Sequence, residues 1–181
     1  LRECIVTEKI DGTNAQVFID DSGAVMAGSR KRWVAPSSDN HGFAGWVADH
    51  EEELRELGPG RHFGEWWGPG IQRGYGLAAK RFSLFNVSRY VTKEQVADGL
   101  VTAKGQTVIP DCCSIVPVLY MGIFHLGIIE LECTRLKEHG SIASPGFMRP
   151  EGVIIYHVNG NCYFKITLDG DGHKNIGGSN G

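Results

Sequence analysis

The chain has 181 residues, 41% of them hydrophobic and 22% charged, with a formal net charge of −3. That length suits one domain, or one domain with a small appendage, with a proper buried core, and the acidic balance argues against a wholesale electrostatic nucleic-acid binder while leaving room for a local basic groove. No apolar run is long enough to span a bilayer and the amino end does not read as a secretory signal, so a cytoplasmic protein with no membrane partner is expected.

The chain reads as strand at once, over Arg2–Val6, as a fragment of a longer protein would. Asn14–Ile19 alternates, Asp20-Asp21-Ser22-Gly23 turns, and Ala24–Gly28 returns, which predicts a hairpin. Ser29–Ser38 is basic and then rich in Pro and Ser, a strand end entering a loop. Phe43–Leu57 spaces Phe43, Trp46, Val47, Leu54 and Leu57 between acids, which predicts one amphipathic helix stopped by Gly58-Pro59-Gly60. Arg61–Trp67 follows as a strand, Gly68–Gly76 as a glycine-punctuated loop, and Arg81–Val87 as a further strand. Val91–Asp111 is polar and reads as a surface excursion. Ser114–Met121 reads as one buried strand and Phe124–His139 as a second helix with a basic final turn. Glu151–Val158 and Asn161–Leu168 form a second hairpin about Asn159-Gly160, and the Gly/Asp/Asn-rich tail from Asp169 is expected to fray. Strands that pair locally with two outer helices predict an α+β fold of antiparallel sheets flanked by helices. The five cysteines (Cys4, Cys112, Cys113, Cys133, Cys162) show no metal-ligand spacing and are expected to be reduced core thiols.

The segment Thr7-Glu8-Lys9-Ile10-Asp11-Gly12-Thr13-Asn14 carries the sharpest chemical suggestion. Lys-x-Asp-Gly is the form in which an ε-amine attacks the α-phosphate of a nucleotide and gives a covalent phosphoramidate. Alone, it also reads as a strand end with an Asp-Gly turn and a solvated lysine. A lysine with that task needs to lose its proton near neutral pH, cations around the phosphates, a flat apolar platform for the base and an acceptor for the ribose. Candidates occur downstream at strand ends: Arg30 beside Lys31 and Arg32, Glu65 in Phe63-Gly64-Glu65, Phe85 in Phe82-Ser83-Leu84-Phe85, Glu151 before Gly152-Val153, and Lys165 in Tyr163–Thr167. Each has a plainer reading: Glu65 and Glu151 as solvated strand ends, Phe82 and Phe85 as core, Lys165 as a side chain snorkelling from an apolar strand. Arg73 and Tyr75 in the glycine loop fit either substrate contact or loop packing.

Taken in order, these motifs resemble those of the covalent lysyl-nucleotidyltransferase superfamily, and within it the ATP-dependent RNA ligases. The counterparts run from Lys9-Ile10-Asp11-Gly12-Thr13-Asn14 through Ser29-Arg30, Phe63-Gly64-Glu65-Trp66-Trp67-Gly68, Phe82–Val87 and Glu151-Gly152-Val153 to Tyr163–Thr167. The Gly-Thr-Asn ending of the first is typical of RNA ligases, where DNA ligases usually carry arginine two residues past the glycine. The resemblance implies a nucleotidyltransferase (ATP-grasp-like ligase adenylation) domain over residues 1–168, a flexible tail over 169–181 and no complete oligonucleotide-binding domain. It implies Lys9 as the adenylylated nucleophile, Glu8 and Ile10 presenting backbone atoms to adenine, and Asn14 and Arg30 near the reacting phosphate or acceptor end. Glu65 would hold the ribose hydroxyl, Phe85 would stack on adenine, Glu151 would organise the metal through water, and Lys165 would contact the α-phosphate. ATP, Mg2+ or Mn2+, and RNA ends or a nicked duplex are the implied cofactors and partners. Two positions depart from the family pattern: Thr167 stands where a second lysine is usual, and Asn86 where an acid often follows the aromatic strand. A DNA ligase, a GTP-using capping enzyme and a non-catalytic nucleotide or RNA binder on the same scaffold are the alternatives.

Overall fold

The computed structural model describes residues 2–99 and 105–169. The tail expectation, from Gly170 onward, lies outside them. In chain order the strands are β1 (Glu3–Lys9), β2 (Thr13–Ile19), β3 (Val25–Ser29), β4 (Gly60–Trp67), β5 (Arg81–Leu84), β6 (Tyr90–Val91), β7 (Thr107–Val108), β8 (Cys113–Ile115), β9 (Val118–Ile123), β10 (Gly152–His157) and β11 (Cys162–Thr167). The α-helices are α1 (Phe43–Asp49), α2 (Glu51–Leu54), α3 (Lys93–Ala97) and α4 (Leu126–His139). These elements form two compact units, one from Leu1–Asp11 with Val116–Gly181 and the other from Gly12–Ile115.

The first unit is built on an antiparallel sheet of order β11-β10-β1-β9. Because side chains alternate across a strand, Cys4, Val6, Val153 and Ile155 fall on one face, where Ile129 and Leu136 of α4 cover them. The register then sets the opposite face. Thr7, Ile154 and Lys165 align across three strands, and so do Lys9, Gly152 and Thr167. His125 caps α4, accepting from the Gly127 N–H at 3.1 Å.

The second unit carries a sheet of order β3-β2-β4-β5-β8, antiparallel except for the β5–β8 pair. Its core face presents Ala15, Val17, Ile19, Trp66, Phe82 and Leu84 to Phe43, Ala44 and Val47 of α1. The other face carries Asn14, Gln16 and Phe18 on β2 opposite Glu65, Phe63 and Arg61 on β4.

Both hairpins form where the sequence predicts them. The helix expected over 43–57 is instead broken at His50, whose φ of −115° and ψ of 20° leave the helical region. The acids Glu51, Glu52 and Glu53 then begin α2, where a helix start favours negative charge, and a 3-10 turn completes the segment at Arg55–Leu57. The strand expected over 114–121 is two strands in two sheets, β8 and β9, parted at Val116-Pro117. Proline lacks a ladder donor and restricts the residue before it. The strand expected over 81–87 stops at Leu84, where Asn86 starts a turn by accepting from the Arg89 N–H at 3.0 Å. The expected surface excursion is corrected too. Residues 93–99 are exposed as expected, but Val91 and Ile109 are buried, and β6 and β7 pair in parallel. Nor are all the thiols core: Cys4 is buried, but Cys162 is exposed.

Candidate functional site

Lys9 is the last residue of β1, in register with Gly152, and its Nζ forms an ion pair with Glu151 Oε1. The pair is largely shielded, with side-chain exposures of 19% for Lys9 and 13% for Glu151. The second carboxylate oxygen, Glu151 Oε2, is buried with no hydrogen-bond partner. A buried oxyanion without a donor is costly, so this atom is suited to an incoming cation or its water. Gly152, lacking a side chain, lets the backbone of β11 approach closely beside Lys9. A Cβ there would sit 1.9 Å from the Ile166 carbonyl oxygen. Thr167 and Lys165 on the exposed edge strand β11 share this face with Lys9, and Lys165 Nζ lies 5.5 Å from the Tyr163 ring centroid.

Glu8 points the other way, toward the α4 side, and is 1% exposed. Its carboxylate accepts from Ser141 Oγ at 2.5 Å, and from the Ile142 and Ala143 N–H groups at 2.9 Å each. Burial pushes this carboxyl up from its ordinary range, while the three hydrogen bonds pull it down. The Glu8 N–H donates to the Pro117 carbonyl at 2.9 Å. The residue before the lysine therefore clamps the segment that leads from α4 to Glu151. Ile10 is buried as well, at 5% exposure. Nothing in the local sequence marks Ser141–Ala143 as Glu8's partners, because the contact spans more than 130 residues.

In the second unit the same motif continues into β2. Glu65 is buried on β4 opposite Asn14, and its Oε1 accepts from the Gly12 N–H at 3.1 Å. Gly12 is required there, since a Cβ would come within 2.5 Å of the Trp66 carbonyl oxygen and 3.0 Å of Glu65 Cγ. Ser83 lies across from Glu65 and takes a hydrogen bond from Trp67 Nε1 at 2.8 Å, which fixes the strand behind the carboxylate. Phe85 is exposed, and its N–H donates to the Phe63 carbonyl at 3.0 Å. Phe63 is itself 49% exposed, so two aromatic rings rather than one flank Glu65 on this sheet. The phenylalanine of Phe-Gly-Glu could have been suspected from alternation with Glu65. Arg30, Lys31 and Arg32 form an exposed tight turn closed by the Ser29 N–H to Arg32 carbonyl bond of 2.8 Å. Tyr75 is 1% exposed and meets Trp67 edge-on, which settles its choice in favour of packing.

Among the described residues no group of three or more His, Cys, Asp or Glu could hold a metal ion by itself, and no helix is long and apolar enough to cross a membrane. A divalent cation would fit only as a partner of Glu151, whose unbonded oxygen is available, with water and phosphate completing its shell.

The fold is that of solved RNA ligases. An apo mutant of the Naegleria gruberi RNA ligase matches 92% of this chain at 21% identity and a TM-score of 0.57. A mutant of that enzyme with AMP and Mn matches 92% at 20% identity and 0.58, and the enzyme with pyrophosphate matches 92% at 20% identity and 0.53. The chain spans about half the length of these ligases, 49% in each case. No curated protein matches it in sequence. The RNA ligase family matches residues 2–167. The chain, covered almost end to end, belongs to the RNA ligase family.

Proposed function

We propose that residues 1–168 are the adenylyltransferase domain of an ATP-dependent RNA ligase, with Lys9 as its nucleophile. The observation that carries this reading is the shielded Lys9–Glu151 pair at the end of β1, with one Glu151 oxygen left without a donor. The Naegleria gruberi enzyme with ATP and Mn, with AMP and Mn and with pyrophosphate represents the substrate, the transferred group and the leaving group of such a step.

In the first step Lys9 Nζ, having given up its proton, attacks the α-phosphorus. An N–P bond forms, the bond to the β-phosphate oxygen breaks, and pyrophosphate leaves. The Glu151 carboxylate is in contact with Nζ and can accept that proton. Glu151, through its unbonded oxygen, would hold Mg2+ or Mn2+, which would supply positive charge against the phosphate oxygens. Lys165 and the Thr167 hydroxyl, on Lys9's face, bind phosphate oxygens. Glu65 accepts from the ribose hydroxyl, Phe85 stacks on adenine, and the backbones of Glu8 and Ile10 read its edge. A polynucleotide 5′-phosphate then attacks the lysyl-bound phosphorus, breaking the N–P bond. The 3′-hydroxyl finally displaces AMP, with Asn14 and Arg30 near the reacting phosphate.

The test is joining. A full-length protein supplied with ATP and Mg2+ or Mn2+ should seal 5′-phosphorylated RNA ends in preference to DNA, and ATP should outcompete GTP. Preference for DNA nicks or for GTP would replace this reading with a DNA ligase or a capping enzyme.

A further inference from the structure

An exposed tryptophan stands on the open face of the second unit, outside every motif used above. Trp33 pairs through the bridge Gly28–Trp33 with the edge of β3, and the residue is 46% exposed. It is held firmly. Phe18 lies 5.8 Å away, and the Arg61 guanidinium sits 5.0 Å from the Trp33 ring centroid and 5.6 Å from that of Phe18. Arg61 is fixed in turn by donating to Gln16 Oε1 at 2.9 Å. The Val34 N–H to Ala27 carbonyl bond of 3.0 Å pins the next residue, which is buried. An apolar ring buttressed from behind and bare in front is an expensive surface to leave to water.

The three residues before it are all cations. Arg30, Lys31 and Arg32 are exposed, and none makes an ion pair among the described residues. A rigid aromatic plane next to a positive turn matches a polyanion of flat bases: bases stack on the ring while cations follow the phosphates. We propose that Trp33, backed by Phe18 and Arg61, is a stacking platform for one base of a single-stranded polynucleotide, whose backbone runs past Lys31 and Arg32. The site rests on the polynucleotide-joining reading and extends it to how the strand is gripped beside the turn that carries Arg30.

Binding is read by titrating the protein, without ATP, with short single-stranded oligo(A) RNA and, in a second arm, oligo(dA). Tryptophan emission should be quenched on binding, and that quench should be missing from W33L. W33L keeps apolar cover over Phe18 but has no π-face, and should weaken binding about tenfold. W33F should retain most of the affinity, and K31E should weaken binding with a shallower salt dependence. Equal loss in both arms indicates stacking that is independent of the sugar, and loss for RNA alone indicates a site that also reads the 2′-hydroxyl. W33L binding both oligonucleotides as tightly as wild type would overturn the platform, as would unchanged emission at saturation. Labelling of Lys9 by ATP alone is measured separately. Its absence in wild type would remove the ligase reading, while the titrations would still decide the platform.

Discussion

Glu151 holds Lys9 with one oxygen and leaves its other oxygen buried without a donor, while the register sets Gly152 directly beside Lys9. The carboxylate thus restrains the amine and keeps a lone pair ready for a cation. Glu151→Gln keeps the shape but loses the charge, so lysine labelling by ATP should fall about 100-fold or more. The melting temperature should change far less than the rate. A variant that labels at the wild-type rate would remove Glu151 from the chemistry.

Glu8 predicts a pH dependence of stability. Burial raises its carboxyl above the ordinary value of 4.5. The folded state therefore holds that proton more tightly than the unfolded chain does. The stability this confers is complete below about pH 4.5 and is lost as pH rises through the higher folded value. Glu8→Gln can donate to Ser141 Oγ and accept from Ile142 and Ala143, and it does not titrate. Its unfolding free energy should gain on wild type from about pH 4.5 upward and then level off. Glu8→Ala strands three donors and should cost roughly 3 kcal/mol at acid pH, a deficit that narrows as pH rises through the folded value. A gap between E8Q and wild type that does not change with pH would contradict the assignment.

Gly12→Ala forces a Cβ against the Trp66 carbonyl at 2.5 Å and Trp67 Cβ at 2.7 Å. Stability should fall by about 2 kcal/mol. The Gly12 N–H to Glu65 contact should shift with it, so KM for ATP should rise more than kcat falls. Wild-type stability and KM would show that the turn has room the structure denies it.

Thr167 is exposed on Lys9's face, one Gly152 away from it across the sheet. Thr167→Lys places a second cation beside the phosphates and should speed lysine labelling severalfold at limiting ATP, with pyrophosphate reversing it more readily. No change in either direction would mean that β11 contributes Lys165 alone.

The candidate residues that the sequence singles out are those whose surroundings are local. Lys9, Glu65 and Lys165 each sit in a strand, and Glu151 directly before one, whose alternation and flanking turns are visible, and both hairpins are marked by their turn residues. What could not be read depends on distant contacts. Glu8's carboxylate is used by Ser141–Ala143, a partner no local pattern announces. The helix break at His50 follows from a backbone angle, not from composition. Pro117 was a visible warning against one strand over 114–121, but not that the halves would join different sheets. Val91 and Ile109 read as surface because the stretch around them is polar, yet both are buried.

Intact-mass and peptide analysis of the protein after incubation with ATP and Mg2+ or Mn2+ tests the central claim most directly. The account predicts one added AMP, carried by the peptide containing Lys9, released by pyrophosphate and absent from Lys9→Ala. An unmodified protein, or AMP of equal amount on Lys9→Ala, would contradict it.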